Sequence, residues 1–469
     1  MASLYAQAIG GVARFASPRR IRIYTRLMLV AVVLVGALDA ASVSRRPERA
    51  GNALGGDFLA FYTGAQFLRQ GRMAEVYDLA AQREFQRRVV APRKLAAKPF
   101  INPPHAAVLY LPFALSGHAT GHALWWLAGL AALLGSARLL CGELDALRRL
   151  GPLRLAAASF LFFPTLAWLG FGQATGFVLL LYTATFVLLR RGRDLAAGAC
   201  LGCLAFKPQL ALGLAVVLLL NGRSRALLGG AAAAAGWLAL GFWLSPEATQ
   251  RYLRLGPELV ALLRSDAYPG WGIHSALGFA SLLLDGFSPR LADALATALC
   301  AAALAALGLA WWRIEWRPGS RAWDLAMAGS LALGLLLSPH LYFYDLMLLL
   351  LPLALVWQHH PELRDGRPLD GGALLAWTAV LWALGFLGTP LSLAQLRLAE
   401  AIGLPRFAVQ LSTVAIALWS FTALRAARAA ESGSAAPDAG ASKPTASTTR
   451  PAATDPTRCV SPGASSTAT

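Results

Sequence analysis

Long apolar runs separated by short basic turns recur along most of the chain and leave little choice of fold. A bilayer core takes roughly 20 apolar residues per crossing. Suitable runs lie near residues 27–43, 118–141, 155–170, 174–190, 194–206, 208–221, 226–244, 290–312, 323–337, 341–357, 371–388 and 405–424. They predict an all-α polytopic membrane protein with about 12 transmembrane helices and both ends on the cytoplasmic side. Composition agrees: 57% of residues are hydrophobic and 14% charged, against roughly 25% charged in a soluble domain.

The net charge of +18 would suit nucleic acid, but the basic residues sit mainly in short segments between spans. That placement fits the positive-inside rule and attraction to anionic lipid, and argues against nucleic acid as a partner. The cysteines carry little chemistry. Cys200 and Cys203 have metal or redox spacing, yet lie in an apolar helix without histidine or acidic company, so neither metal nor cofactor is expected.

Residues 1–26 read as a basic cytoplasmic N-terminus and 27–425 as the transmembrane domain. The Ala-Leu-Asp-Ala-Ala end of the first span has some likeness to a signal-peptidase site, but the long basic lead favours an uncleaved anchor. Residues 44–103 then form a first extracytoplasmic loop. In it, Phe58, Phe61, Tyr62, Ala65 and Leu68 follow helical spacing up to Gly71, and a second helix starts after Asp78 with Ala81, Phe85 and Val89 on one face. Both are expected to be amphipathic and to lie along the membrane surface. Ala106 to Leu115 is too short for an easy crossing, which leaves the number of crossings within 104–141 open. A second outer loop spans 245–287, with Arg251, Arg254, Arg264, Asp266 and Tyr268 and an interfacial piece from His274 to Phe287. Residues 426–469, rich in Ala, Ser, Thr and Pro, read as a disordered tail. No period of 20 to 50 residues repeats.

Polar groups at membrane depth are costly and so are functional suspects. Basic turns at 190–193, 223–225 and 313–321 alternate with neutral ones, which puts Asp57, Gln173, Lys207 with Gln209, and His340 with Asp345 on one side of the membrane. Sugar transfer at a lipid boundary needs a carboxylate to take a proton from a hydroxyl, and cationic or hydrogen-bonding groups to hold a departing phosphate. Asp57 suits the first role. Lys207, His340 and outer-loop arginines suit the second. Each residue also has a structural reading: Asp57 as an N-cap, Lys207 as a snorkelling lysine, Gln173 and His340 as partners of backbone groups at helix breaks, and Asp345 as half of a buried pair.

The order of these motifs along the chain resembles glycosyltransferase family 87, the polyprenol-phosphate-mannose-dependent mannosyltransferases of the GT-C group. The residues that carry the resemblance are Gly56-Asp57-Phe58-Leu59-Ala60-Phe61-Tyr62, Val76-Tyr77-Asp78, Asn102-Pro103-Pro104, Gly172-Gln173, Lys207-Pro208-Gln209, and Ser338-Pro339-His340 with Tyr344-Asp345. The chain departs from the usual pattern at Phe61 and at Asn102, where a tyrosine before the proline pair is more common. The resemblance implies a GT-C-type fold and an inverting, metal-independent transfer of a sugar, typically mannose, from a polyprenyl-phosphate donor. The acceptor would be a hydroxyl of a glycolipid or glycan at the outer face of the plasma (inner) membrane. It further implies Asp57 as catalytic base, with His340 assisting acceptor or phosphate, and Tyr62, Asn102, Gln173, Lys207, Gln209 and Asp345 as substrate-binding positions. Two other functions compete. A flippase or transporter of lipid-linked sugars predicts deep charges in several central helices and paired half-folds, and a non-catalytic subunit of envelope glycan assembly predicts that Asp57 tolerates replacement.

Overall fold

The computed structural model describes residues 56–91, 97–264, 269–359 and 372–434, with scattered helical positions between 23 and 34. Most of the expected first span, the start of the first outer loop, Asp266, Tyr268 and all of the tail beyond 434 lie outside the described residues. The helices, in chain order, are α1 (Phe58–Arg69), α2 (Leu79–Val90), α3 (Ala106–Ala114), α4 (His118–Glu143), α5 (Pro152–Ser159), α6 (Phe163–Phe171), α7 (Thr175–Arg190), α8 (Asp194–Gly202) and α9 (Leu212–Leu220). They continue as α10 (Ser224–Leu244), α11 (Pro246–Arg254), α12 (Gly256–Arg264), α13 (Ala276–Leu284), α14 (Pro289–Trp311), α15 (Arg321–Leu335), α16 (Leu350–His359), α17 (Gly372–Ala401) and α18 (Leu411–Ser434).

Nearly every apolar run becomes a helix, but many are short or broken. Among the described residues, α4, α10, α14 and α17 can each cross a membrane by length and composition, and a fifth crossing results if α5 and α6, bent by 84° at their junction, count as one. The expectation of about 12 counted apolar runs, and helix length among the described residues does not confirm that number. The apolar runs at 194–206 and 208–221 illustrate the difference, because each is split by 3₁₀ turns around Lys207. The final helix runs on to Ser434, so the boundary drawn at 426 falls inside a helix.

Helix α15 is the centre of the molecule, with every residue from Ala322 to Leu335 buried. Small residues let its neighbours approach: a Cβ placed on Gly213 of α9 would lie 2.4 Å from the Cα of Gly334. Close backbone contact of this kind is how apolar helices associate when lipid is as apolar as leucine. One end of α15 carries Asp324, fully buried and paired with Arg190 at 2.5 Å and His359 at 2.7 Å. Around it gather Arg191 with Glu143, and Arg223 with Asp194. The basic turns thus meet at one end of the bundle, as their alternation along the chain anticipates.

The opposite end is built from the two loops that the sequence reading takes as outer, which touch each other where the rings of Tyr77 and Tyr252 lie 6.2 Å apart. Helix α1 departs from the surface-lying form expected of it: all residues from Phe58 to Phe67 are buried. Phe61 stacks on Tyr110 of α3 at 4.4 Å, and Phe58 on His122 of α4 at 5.3 Å. Helix α2 starts where expected, with the Asp78 carboxylate accepting from the Ala80 and Ala81 amides. Its buried face is shifted from the expected one and includes Gln82 and Gln86. These glutamines clamp the extended segment 97–100. Gln86 accepts from the Lys98 amide at 2.8 Å and donates to its carbonyl at 2.6 Å, while Gln82 accepts from the Phe100 amide at 2.7 Å.

Replacing Gln86 with leucine strands the half-buried backbone groups of Lys98. Gln86→Leu should lower unfolding stability by about 1–3 kcal/mol, read as a drop in Tm of the purified protein. A variant as stable as wild type would show that the clamp is dispensable.

Candidate functional site

At the outer-loop end, three breaks in helical structure bring polar side chains together. The first is the start of α1. Asp57 stands at the N-cap position with α-region dihedrals of −74° and −20°, and its side chain makes no capping hydrogen bond. Its amide instead donates to the carbonyl of Phe171 at 3.1 Å, which ties the start of α1 to the end of α6. The second break follows α6. Gly172 takes a left-handed φ of +69°, which a side chain would strain, and so turns Gln173 back towards α1. Trp125 and Trp168 hold this turn by donating to the carbonyls of Gly172 and Gln173, at 2.8 and 2.7 Å. The third lies at Lys207, between the 3₁₀ turns Cys203–Phe206 and Pro208–Leu210.

The three breaks and the Asp345 turn form one continuous line of contacts. Lys98 Nζ lies 3.1 Å from Asp57 Oδ1, and Gln173 Nε2 donates to Asp57 Oδ2 at 2.8 Å. Lys207 Nζ reaches both Gln173 Oε1 and Asp345 Oδ1 at 3.3 Å, and the Thr175 hydroxyl donates to the same Asp345 oxygen at 2.6 Å. Exposure falls along the line. Side chains of Lys98 and Asp57 keep 29% and 17% of their surface, against 9% and 1% for Lys207 and Asp345. The Asp57 end is therefore open to an incoming molecule, and the Lys207–Asp345 end is sealed. Lys207 also lies 5.6 Å from the centre of the Tyr344 ring.

His340 sits beside this line, in the non-helical stretch between α15 and the turn Asp345–Leu349, with its ring stacked on Tyr342 at 5.9 Å. Burial pushes its imidazole down to about 4, opposed by Asp345 and, more weakly, Asp57, and reinforced by Lys207. At neutral pH it is a neutral hydrogen-bonding group rather than a fixed cation. The segment bearing it is held by the second outer loop: the His274 amide donates to the Leu341 carbonyl at 2.6 Å and the Phe343 amide to the Gly272 carbonyl at 2.9 Å.

Of the residues singled out from sequence, Asp57, Gln173, Lys207 and Asp345 meet directly, with His340 close by. The others stand elsewhere. The Tyr62 hydroxyl donates to the Ser116 carbonyl at 3.2 Å and its ring faces Phe58 and His118, so it ties α1 to the α3–α4 turn. Asn102 donates to the Tyr110 hydroxyl at 3.1 Å, and its carbonyl accepts from Tyr77 at 2.7 Å. Burial raises the Tyr77 pKa, which keeps that phenol a donor. Gln209 is half-buried beside Pro208, outside the line. Lys98 and Thr175 were not singled out. Thr175 stands two residues past Gln173, a proximity that could have flagged it, whereas Lys98 is one basic residue among many in its loop.

The described residues form a helical bundle with several helices apolar enough to cross a membrane and a polar line at one end. The chain matches the family model for glycosyltransferase family 87 over residues 100–339, about half its length, and belongs to that family. Membership makes it a membrane glycosyltransferase, and the GT-C group is consistent with the family. Asn102, Gln173, Lys207 and Gln209 fall within the matched stretch. Asp57, His340 and Asp345 flank it. No curated protein and no solved structure shows a significant match.

Taking the charge from Lys207 leaves Asp345 buried and uncompensated. Lys207→Met should cost about 3–5 kcal/mol of stability, whereas Lys207→Met combined with Asp345→Asn should recover most of it. Tm values of the single and double variants test this, and equal losses in both would mean that the pair is not coupled.

Proposed function

We propose that this protein moves a sugar, mannose by its family resemblance, from a polyprenyl-phosphate donor to a hydroxyl of a glycolipid or glycan, with Asp57 as general base. The observation that carries the reading is the Asp57 carboxylate. It stands where an N-cap belongs but caps nothing, and is held by Lys98 and Gln173 at the open end of the polar line. A carboxylate so placed can take the proton of an acceptor hydroxyl as its oxygen bonds to the anomeric carbon. The bond from that carbon to the donor phosphate breaks on the opposite face, which inverts the configuration. The polyprenyl phosphate leaves with the electron pair.

Growing negative charge on that phosphate needs cations or donors placed beforehand. Lys98 and Lys207 supply charge on either side of Gln173, and neutral His340 supplies hydrogen bonding. Asp345 and Thr175 keep the Lys207 ammonium in position at a depth where an unpaired charge would be expensive. The chemistry needs no metal or other cofactor. The basic turns at the far end of the bundle support a cytoplasmic placement for them and hence an extracytoplasmic site in the plasma (inner) membrane.

Asp57→Asn keeps most of the side chain's shape but cannot accept the proton. It should lower transfer by about 10²- to 10⁴-fold while leaving Tm close to wild type. The assay is transfer from polyprenyl-phosphate mannose by the purified protein, with the anomeric configuration of the product read by NMR. Wild-type turnover by the variant would remove Asp57 from the base role, and retained configuration would remove the single-displacement mechanism.

A further inference from the structure

Pro208 follows Lys207 directly, and a proline has no amide hydrogen to give. A 3₁₀ turn pairs each carbonyl with the amide three residues on. In the turn Cys203–Phe206 the partner that pattern assigns to the Ala205 carbonyl is Pro208. The amides of Lys207 and Leu210 are spent locally, on the carbonyls of Leu204 at 2.7 Å and Lys207 at 3.0 Å. Ala205 takes its hydrogen bond from a distant part of the chain: His105 Nε2, 100 residues away in sequence, lies 3.1 Å from its carbonyl oxygen.

A carbonyl only accepts, so the hydrogen of this bond is on Nε2. The His105 ring is buried and lies 5.6 Å from the ring of Trp237 in α10. Gly241 of the same helix makes room for it: a Cβ there would lie 3.2 Å from His105 Nδ1 and 3.1 Å from Thr249 Oγ1. His105 stands at the N-cap position of α3, yet its side chain makes no capping bond. Its Nδ1 is buried without a hydrogen-bond partner. A bare buried nitrogen is costly, and an apolar side chain would fill the same space without that cost. What the imidazole adds is its one bond to Ala205.

We propose that His105 is a positioning residue for glycosyl transfer: its Nε2–H holds the Ala205 carbonyl and so sets the turn that aims the Lys207 ammonium at the polar line. Lys207 stands two residues past Ala205, and its Nζ reaches Gln173 and Asp345 at 3.3 Å. Its backbone dihedrals of −139° and 64° lie outside the helical region, so the direction of its side chain depends on the turns to either side. His105 also follows Asn102-Pro103-Pro104, at the end of the loop that carries Asp57 and Lys98. The same bond therefore ties the Lys207 break to that loop. The inference rests on the reading of Lys207 as a cation that meets the donor phosphate.

The test is the Kd for undecaprenyl phosphate of the full chain in detergent, for wild type, H105L and H105Q. H105L is also measured in a K207M/D345N background, where the buried ion pair is gone. The H105Q amide can donate from near the Nε2 position, whereas H105L has no donor. H105L should weaken binding about tenfold in the wild-type background and change it little in K207M/D345N, while H105Q stays within about twofold of wild type. A merely structural role would lower Tm and weaken binding equally in both backgrounds. Should H105L not fold, H105N, polar but too short to reach Ala205, carries the same expectation. Undiminished binding by the variant, an equal loss in both backgrounds, or H105Q binding as weakly as H105L overturns the inference alone. Wild-type affinity in K207M/D345N overturns the reading of Lys207 and the inference with it.

Discussion

A lysine and an aspartate, buried together inside an apolar helical bundle, set the terms for the rest of this molecule. Lys207 and Asp345 lie 3.3 Å apart with almost no exposed surface, and either one alone would be costly at that depth. Keeping both requires broken helices on two sides. The run through 203–210 gives up regular α structure to present Lys207, and the chain after α15 turns through Ser338-Pro339-His340 to present Asp345. Gln173 and Thr175, at the break between α6 and α7, complete their hydrogen bonding. The polar line is thus the common reason for three interruptions that would otherwise weaken an apolar bundle.

What the sequence revealed and what it hid follow from the range of each signal. Apolar runs bounded by Gly, Pro and basic residues are local, so nearly every helix was legible, including the start of α2 at Asp78 and the end of α1 before Gly71. The convergence of Asp57, Gln173, Lys207 and Asp345 was also legible, because alternating charge sorts helix ends into two sets. Burial was not. Helix α1 reads as half-polar because Thr63, Gly64 and Gln66 interrupt it, yet Gln66 donates to the Ala114 carbonyl and Gly64 makes room for Phe100. Both features depend on residues tens of positions away. The same holds for Lys98, whose place beside Asp57 is set by glutamines of α2 that look like ordinary surface polar residues.

The two ends of the bundle solve opposite electrostatic problems. At the basic end, Asp324, Glu143 and Asp194 are spread among arginines that outnumber them, so the ion pairs there leave positive charge over. Along the polar line at the other end, Lys98, Asp57, Lys207 and Asp345 alternate in sign, so charge within the line balances. The central helix α15 spans the interval, paired at Asp324 near its start and followed closely by Asp345 after its end. A displacement of this helix along its axis would disturb both ends at once, which ties the integrity of the site to packing at the far side.

Helix α7 joins those two ends with only 16 residues, a rise of about 24 Å, whereas a hydrocarbon core is about 30 Å thick. Every residue of α7 is buried or half-buried, so protein rather than lipid surrounds it and its ends need not reach the headgroups. The line of polar groups at its Thr175 end is instead walled by longer helices such as the 26-residue α4 packed against α7. A molecule that reacts at that line therefore has to come in by its Lys98 and Asp57 end, where the side chains keep most exposure.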